Sequence, residues 1–189
     1  MKKLRLVIGI AVLTLAALKL LHAGDWDSQY HSSEEFKWKV PLGKSYNYAD
    51  IKVTRVIDGD TLLLENGERV RLIGIDTPEI HDSDKLERDA ERSKEDKSAI
   101  KKLGMRSYEF TRDLIEGKNV TLEFDVEKYD KYKRLLAYVF RTKDNKFINA
   151  EIIEQGYASL MTIPPNVKYA SLFQQLYARA RENKRGLWK

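Results

Sequence analysis

The chain has 189 residues, of which 42% are hydrophobic and 33% are charged. This apolar content suffices for a folded core and excludes a disordered polyelectrolyte, and the absence of cysteine excludes disulfide bonds. Residues 1–23 contain four basic residues and no acids, so the net charge of +5 falls by 4 to +1 for the remaining residues. Overall basicity therefore does not indicate nucleic-acid binding, and any attraction for phosphate must be local.

Residues 1–23 have the composition of a targeting segment. A basic start is followed by an apolar run, Leu6–Leu18, of about signal-peptide length, which Lys19 then interrupts. The pattern favours a cleaved secretory signal, and it leaves open an uncleaved anchor that attaches to the membrane through residues 4–23, or a cytosolic core helix. If the source is a bacterium, a cleaved signal makes the protein secreted or periplasmic, and an uncleaved segment anchors it to the membrane.

Residues 24–50 form a polar and aromatic segment without a clear period. We interpret it as a lead-in that packs on the surface of the domain, and the alternative is an arm that stacks on nucleic-acid bases. The folded domain is predicted to span residues 51–189, and the protein is expected to be a monomer.

Three strands are predicted at the start of this domain. Alternating apolar residues indicate the first, from Ile51 to Ile57, with Arg55 on its apolar side. The apolar run Leu62–Leu64 indicates the second strand. Asn66-Gly67 is a strong signal for a two-residue turn, which would pair the two glutamates that flank it. Val70–Ile75 would be the return strand.

The open end of this hairpin is predicted to gather four carboxylates: Asp58, Asp60, Asp76 and Glu79. Arg71 lies mid-strand beside them in an otherwise apolar run. Like charges repel unless a cation lies among them, and a cluster of oxygens suits Ca²⁺ or Mg²⁺. The simple register puts Asp60 and Asp76 on opposite faces, so a shared ion requires a bulge or a strong twist. The same residues are also common in ordinary turns, and the pattern leaves both interpretations open.

A charged segment follows, Ile80–Lys102, with seven acids, seven bases and little apolar content. This composition favours a solvated helix or a mobile loop, and the alternative is a lid or substrate guide beside the acids. Leu103, Phe110 and Leu114 then recur at helical spacing up to Gly117, which predicts a helix whose apolar stripe faces the core.

The remaining elements are two strands and two helices. Alternating or continuous apolar residues predict strands at Val120–Phe124 and Leu135–Phe140. Helical periodicity and a following glycine predict helices at Asn149–Gln155 and Tyr169–Asn183.

A basic cluster precedes the fifth strand. Lys131, Lys133 and Arg134 surround Tyr132, which is a plausible arrangement for binding phosphate. A charge at the edge of a strand is the commoner explanation for Arg134 considered alone, and the residues themselves leave both interpretations open.

Two segments resemble the signatures of the thermonuclease, or staphylococcal nuclease-like, family. The first comprises Asp58–Thr61 and Arg71–Glu79, and the second is Asp130–Phe140. The resemblance runs from Ile51 to Trp188. It implies an α+β fold that is mainly β, with a five-stranded Greek-key barrel of the OB type and about three helices; such barrels commonly bind oligonucleotides.

The chain departs from the family pattern in several places. The spacing from Asp60 to Arg71 is shorter than usual, and the charged stretch after Glu79 is longer. Lys133 stands where the family usually has glycine or glutamine. Leu160–Ile163 replaces a region in which the family often places tyrosines against the nucleotide base.

The resemblance implies a calcium-dependent endonuclease of DNA and RNA that cleaves at the 5′-oxygen and leaves 3′-phosphates. The Ca²⁺ ligands would be Asp60, Asp76 and the Thr77 carbonyl, with Asp58 in support. The catalytic residues would be Arg71, Glu79 and Arg134. Lys131 and Tyr132 would bind the substrate phosphate. Glu79 would activate or orient water, and the two arginines would neutralise charge on the phosphoryl oxygens. The alternative is a non-catalytic OB-type nucleic-acid-binding module, whose mark would be the loss of a catalytic side chain; all three are present.

Overall fold

The computed structural model of the protein describes residues 47–94 and 96–189. The predictions for residues 1–23, and for nearly all of the lead-in at residues 24–50, lie outside the described residues. Within the described part of the chain, no helix is both long enough and apolar enough to cross a membrane.

The described residues contain eight strands, five of which form a closed barrel. In chain order the strands are β1 (Ile51–Asp58), β2 (Thr61–Leu64), β3 (Arg69–Leu72), β4 (Gly74–Asp76), β5 (Asn119–Glu123), β6 (Leu135–Arg141), β7 (Lys146–Phe147) and β8 (Ser159–Met161). Barrel neighbours follow the order β3-β2-β1-β5-β6, and parallel pairing of β3 with β6 closes the barrel. The predicted five-stranded Greek-key barrel of the OB type is confirmed.

Four α-helices accompany the barrel in the described part of the chain. They are α1 (Asp84–Ser93), α2 (Lys97–Ile115), α3 (Ile148–Glu154) and α4 (Ala170–Glu182), and a short 3₁₀ turn follows at Gly186–Trp188. The sequence predicts about three helices, and the additional one is α1, inside the charged segment. Ser83 explains where α1 begins, because its hydroxyl accepts the N–H of Leu86 at 3.1 Å. Leu86 is also the buried residue of this helix.

A bulge in β1 changes which residues face the core. The register with β2 shifts just before Arg55, so that Thr54 and Arg55 are both exposed. Val56 is then buried and Ile57 is half-buried. The prediction that Arg55 lies on the apolar side of the strand is therefore wrong. The N–H of Val56 donates instead to the carboxylate of Glu116, at 2.8 Å.

The turn between β2 and β3 is one residue longer than predicted. The N–H of Leu64 donates to the carbonyl of Glu68 at 2.9 Å, so Glu65 belongs to the loop and does not pair with Glu68. Gly67 has φ +86°, the left-handed conformation that closes a three-residue hairpin loop. Every cross-strand pair in the hairpin therefore differs by one residue from the simple register.

The return strand ends earlier than predicted, at Leu72. The chain turns at Gly74, whose φ is +83°, and enters β4, which pairs with β8 instead of β2. A Cβ at Gly74 would lie 2.5 Å from the Phe173 ring, so the position requires glycine for its space as well as its φ. This break takes Asp76 out of the hairpin, so the predicted conflict in which Asp60 and Asp76 lie on opposite faces does not arise.

Helix α2 packs against β1 and buries a line of residues in which small or polar side chains lie between two isoleucines. The fully buried positions are Ile100, Gly104, Ser107, Thr111 and Ile115. The predicted apolar stripe is only half-buried; it comprises Leu103, Phe110 and Leu114. The hydroxyls of Ser107 and Thr111 donate to the carbonyls of Tyr157 and Gly59, at 2.7 and 2.9 Å. The helix thus holds the loop that joins β1 to β2.

Gly104 brings α2 into close contact with the backbone at Pro78 and Glu79. A Cβ at Gly104 would lie 2.5 Å from the carbonyl oxygen of Glu79, and backbone at that distance has to move. We expect Gly104→Ala to lower the free energy of unfolding by about 1–3 kcal/mol, the usual cost of overpacking. Urea denaturation measures this free energy of unfolding. Lys102→Ala, at an exposed position of α2, is the control. Unchanged stability of Gly104→Ala would contradict the close contact.

Candidate active site

Arg71 is at the centre of a buried charge cluster. Its Nη1 lies 2.5 Å from Oδ2 of Asp60 in an ion pair, and its Nη2 donates to Oδ1 of Asp76 at 3.1 Å. Burial opposes the charge of Arg71, but the two carboxylates outweigh burial and raise the pKa of the guanidinium. One arginine thus bridges the two acids that the sequence places at the ends of different strands.

Asp60 is nearly inaccessible, with 5% of its surface exposed. Its Oδ2 accepts the N–H and the hydroxyl of Thr77, at 2.9 and 3.1 Å, and its Oδ1 accepts the hydroxyl of Thr61 at 3.2 Å. Burial acts to raise the pKa of Asp60, but the charges of Arg71 and Lys85 and the hydrogen bonds to Asp60 together outweigh it, so the pKa lies below its ordinary value. Asp60 is therefore a charged residue that ties the start of β2 to Thr77, directly after β4.

Asp58 lies directly behind Asp60. One of its carboxylate oxygens accepts the N–H of Asp60 at 3.1 Å. Burial, followed by the negative charge of Asp60, raises the pKa of Asp58 to about 7. Asp58 thus contacts the backbone of Asp60, and the supporting role that the resemblance implies for it stays a prediction.

Lys85, from the first turn of α1, reaches the same cluster. Its Nζ lies 2.9 Å from the carbonyl oxygen of Thr77, 2.9 Å from Oδ1 of Asp76 and 3.1 Å from Oε1 of Glu79. Glu79 therefore joins the cluster through Lys85. Sequence reasoning missed this residue, because in sequence it is one of seven bases in a mixed-charge run and carries no signal of its own.

The residues of the cluster suit a hard divalent cation. In the described residues no three acidic or histidine side chains are arranged to hold a metal by themselves. The oxygens around Lys85 are nevertheless two carboxylates and one main-chain carbonyl, and all three already surround a single positive charge. Oxygen-only donors of this kind are what Ca²⁺ and Mg²⁺ prefer. The donor chemistry fits such an ion.

A groove of about 400 Å³ adjoins the cluster at Arg71. Its lining includes Arg71, Lys131, Tyr132 and Arg134, so the predicted phosphate-binding residues lie in one surface with both predicted catalytic arginines. Arg134 Nε donates to Asp130 at 2.7 Å, and the exposed Tyr132 ring lies 5.5 Å from the Arg134 guanidinium and 5.0 Å from the Lys131 ammonium. Arg71 is thus shared by the acid cluster and the basic groove.

Two departures from the family pattern have a visible structural counterpart. Lys133 has φ +63°, the left-handed conformation that glycine adopts most easily, which explains why glycine is frequent at this position in the family. Met161 and Ile163 line the groove with exposed apolar side chains where the family often has tyrosines. The groove is therefore apolar on one wall and basic on another.

The fold and this arrangement define a class of protein, an OB-type barrel that carries an acid cluster beside a basic groove, with one arginine common to both. The family model described as staphylococcal nuclease homologue matches residues 69–189. The chain belongs to this family of staphylococcal nuclease homologues.

Relatives support the assignment over nearly the whole chain. The thermonuclease of Staphylococcus intermedius is 31% identical over 191 residues, which covers 98% of each chain. The thermonuclease of Staphylococcus hyicus is 30% identical and covers 75% of this chain and 77% of its own. An uncharacterised protein of Methanocaldococcus jannaschii is 31% identical over 100% of this chain and 95% of its own. This homology supports a nuclease-type hydrolase at the level of the family.

Proposed function

We propose that this protein is a calcium-dependent nuclease that hydrolyses phosphodiester bonds of DNA and RNA. The observation that carries the proposal is the position of Arg71, which contacts Asp60 and Asp76 and also lines the groove that contains Arg134. A cation held by the acids and the basic side chains of the groove would therefore act on the same phosphate group of the substrate. The homology to thermonucleases supports the same activity.

Asp60, Asp76 and the Thr77 carbonyl are the proposed Ca²⁺ ligands, with Asp58 behind Asp60. All are hard oxygen donors, and an aspartate that hydrogen-bonds the backbone of a ligand helps to orient it. Bound there, the ion supplies positive charge that polarises the phosphoryl oxygen. The buried Asp60 would serve as a ligand only after its ion pair with Arg71 loosens, so the arginine is expected to turn toward the substrate phosphate.

Hydrolysis would then proceed by attack of water on phosphorus. A bond forms between the water oxygen and phosphorus while the bond from phosphorus to the 5′-oxygen breaks. The leaving 5′-oxygen takes a proton from solvent water, which leaves a 3′-phosphate and a 5′-hydroxyl. Glu79 accepts the proton of the attacking water or orients that water. Arg71 and Arg134 donate hydrogen bonds to the phosphoryl oxygens as negative charge builds on them. Lys131 and Tyr132 contact the substrate phosphate.

A non-catalytic OB-type module is the second candidate function. The exposed Tyr132 between Lys131 and Arg134 favours it, because stacking and phosphate contacts bind nucleic acid without cleavage. One assay separates the two: single-stranded DNA and RNA are incubated with the protein in Ca²⁺, Mg²⁺ or EDTA. Metal-dependent cleavage supports the nuclease, and binding without cleavage in any ion supports the module.

Asp76→Ala tests the metal site. We expect it to weaken Ca²⁺ binding more than tenfold, since even residues that only support a ligand contribute about 10–100-fold. Calorimetric titration measures the affinity, and Asp113→Ala, at an exposed carboxylate of α2, is the matched control. Asp60→Ala is less suitable, because removing one partner of a buried ion pair costs about 3–5 kcal/mol in stability. Wild-type Ca²⁺ affinity in Asp76→Ala would refute the assignment.

We further propose that residues 1–23 export the protein and either are cleaved or remain as an anchor. The support is the order of a basic start and an apolar run, which is the order that export machinery recognises. A reporter fused to these residues is expected to leave the cytosol, and sequencing the N-terminus of the mature protein separates signal from anchor. A reporter found only in the cytosol would contradict both the cleaved signal and the anchor.

A further inference from the structure

Lys85 is the one residue of the active-site contacts described above that belongs to the charged segment, which is longer here than is usual in the family. Its ammonium group meets three oxygens from three residues: Asp76, Thr77 and Glu79. An ammonium group has three N–H donors and no acceptor, so these contacts match its full donor capacity. The geometry is that of a small coordination shell around a single cation.

The same oxygens are those that a divalent ion would use. Ca²⁺ binds oxygen at about 2.3–2.6 Å, so an ion on the Asp76 and Thr77 oxygens would lie within a few ångströms of the Lys85 nitrogen. At that separation two positive charges repel strongly in a half-buried site. Lys85 and a divalent ion therefore exclude each other from these ligands.

The backbone of Lys85 is held in place while its side chain retains freedom. Ser83 caps the first turn of α1, and Leu86 is fully buried. The charged head lies at the end of a four-carbon stem with several rotatable bonds. The ammonium can thus withdraw by rotation about this stem without unfolding the helix.

We propose that Lys85 is an internal competitor cation, which holds the acids together in the metal-free protein and must leave before a divalent ion binds. Lys85 would then determine how tightly the protein binds its metal, and it would keep the acids neutralised when metal is scarce. The inference rests on the metal site proposed above. It adds a residue of the charged segment that sets the metal affinity of this protein.

The test compares wild type with Lys85→Met and Lys101→Met. Both substitutions remove one positive charge from the charged segment and keep an unbranched side chain, but the ammonium of Lys101 pairs with the exposed Asp82 instead. Calorimetric titration with Ca²⁺ is expected to show affinity about tenfold or more tighter for Lys85→Met, since both competition and like-charge repulsion are removed. Lys101→Met is expected to stay close to wild type, because an exposed charge is screened.

A second measurement follows Lys85 directly in the full wild-type protein. Acetylation by acetic anhydride, with site-by-site quantification by mass spectrometry, is expected to be slow at Lys85 without metal and several-fold faster at saturating Ca²⁺, because the ammonium then leaves its three oxygens. Lys101 provides the internal reference. Labelling of Lys85 that Ca²⁺ does not change would contradict the displacement.

The outcomes separate this proposal from the proposed metal site. If Lys85→Met binds Ca²⁺ no more tightly than Lys101→Met, Lys85 is not a competitor, whereas the metal site stands because wild type still binds. If Lys85→Met binds more weakly, the lysine supports the site and the proposal is overturned. If neither wild type nor Lys85→Met binds any divalent ion, the metal site itself is refuted and the competitor proposal falls with it.

Discussion

Replacing Glu79 with glutamine is expected to reduce turnover by about 10²–10⁴-fold, the usual contribution of a general base. The substitution keeps the size of the side chain and removes its ability to accept a proton from water. Binding of single-stranded oligonucleotides should stay near the wild-type level, because Glu79 lies with the acids and not among the residues that line the groove. Turnover and binding are measured on the same oligonucleotide with saturating Ca²⁺.

A matched control for this variant lies on α1. Glu87→Gln makes the same chemical change at an exposed glutamate that pairs with Lys97, and it is expected to keep wild-type turnover. Glu79 also contacts Lys85 in the metal-free protein, so Ca²⁺ affinity is measured for both variants to separate a change in chemistry from a change in metal occupancy. If Glu79→Gln cleaves at the wild-type rate, Glu79 is not the base.

Removal of Arg134 is expected to have the second largest effect. Arg134→Ala should lose about 10²–10³-fold in turnover, by analogy with the loss of one donor to the charge that develops in a transition state. Asp130 fixes the guanidinium through Nε and also accepts the backbone N–H of Arg134, at 2.7 and 2.9 Å, so the side chain is positioned before substrate arrives. Loss of a phosphate contact should also weaken binding and make its salt dependence shallower.

Two further variants make the Arg134 experiment specific. Arg134→Lys keeps the charge but loses the planar fork of donors, and it should restore binding more than turnover. Arg55→Ala removes an arginine that is exposed at the bulge of β1 and is not among the residues that line the groove. This substitution should change neither turnover nor binding. Turnover and binding are compared at two salt concentrations. Full turnover by Arg134→Ala would exclude this arginine from catalysis.

The barrel strands were predictable because their signals are local. Alternation of apolar and polar residues indicates a half-buried strand, and a short continuous apolar run is consistent with a buried one. These two signals placed β1, β2, β5 and β6 within a few residues of their ends. The turn at Asn66-Gly67 was found for the same reason, although its length was wrong. A glycine with positive φ serves two- and three-residue loops equally well, and the choice between them depends on the pairing of the whole hairpin.

The errors on the strands arose where a neighbouring element decides the backbone. The bulge in β1 exposes Arg55 because Glu116, at the end of α2, provides the partner for the N–H of Val56. The break at Gly74 exists because β8 lies alongside to pair with β4 and Phe173 occupies the space where a side chain would be. Neither neighbour is visible in the local pattern of β1 or of the return strand.

The amino-acid sequence by itself determined most of the barrel strands and the two motifs, because these depend on local periodicity and on residues close together in the chain. The resemblance of the two motifs to a known family then implied the barrel and the members of the acid cluster. Only the tertiary structure decided which of the seven bases in the charged segment meets the acids. In sequence these bases are equivalent, since charge and spacing alone do not distinguish one exposed cation from another. The cap at Ser83 and the burial of Leu86 set the position of α1, and that position brings Lys85 to the oxygens of Asp76, Thr77 and Glu79.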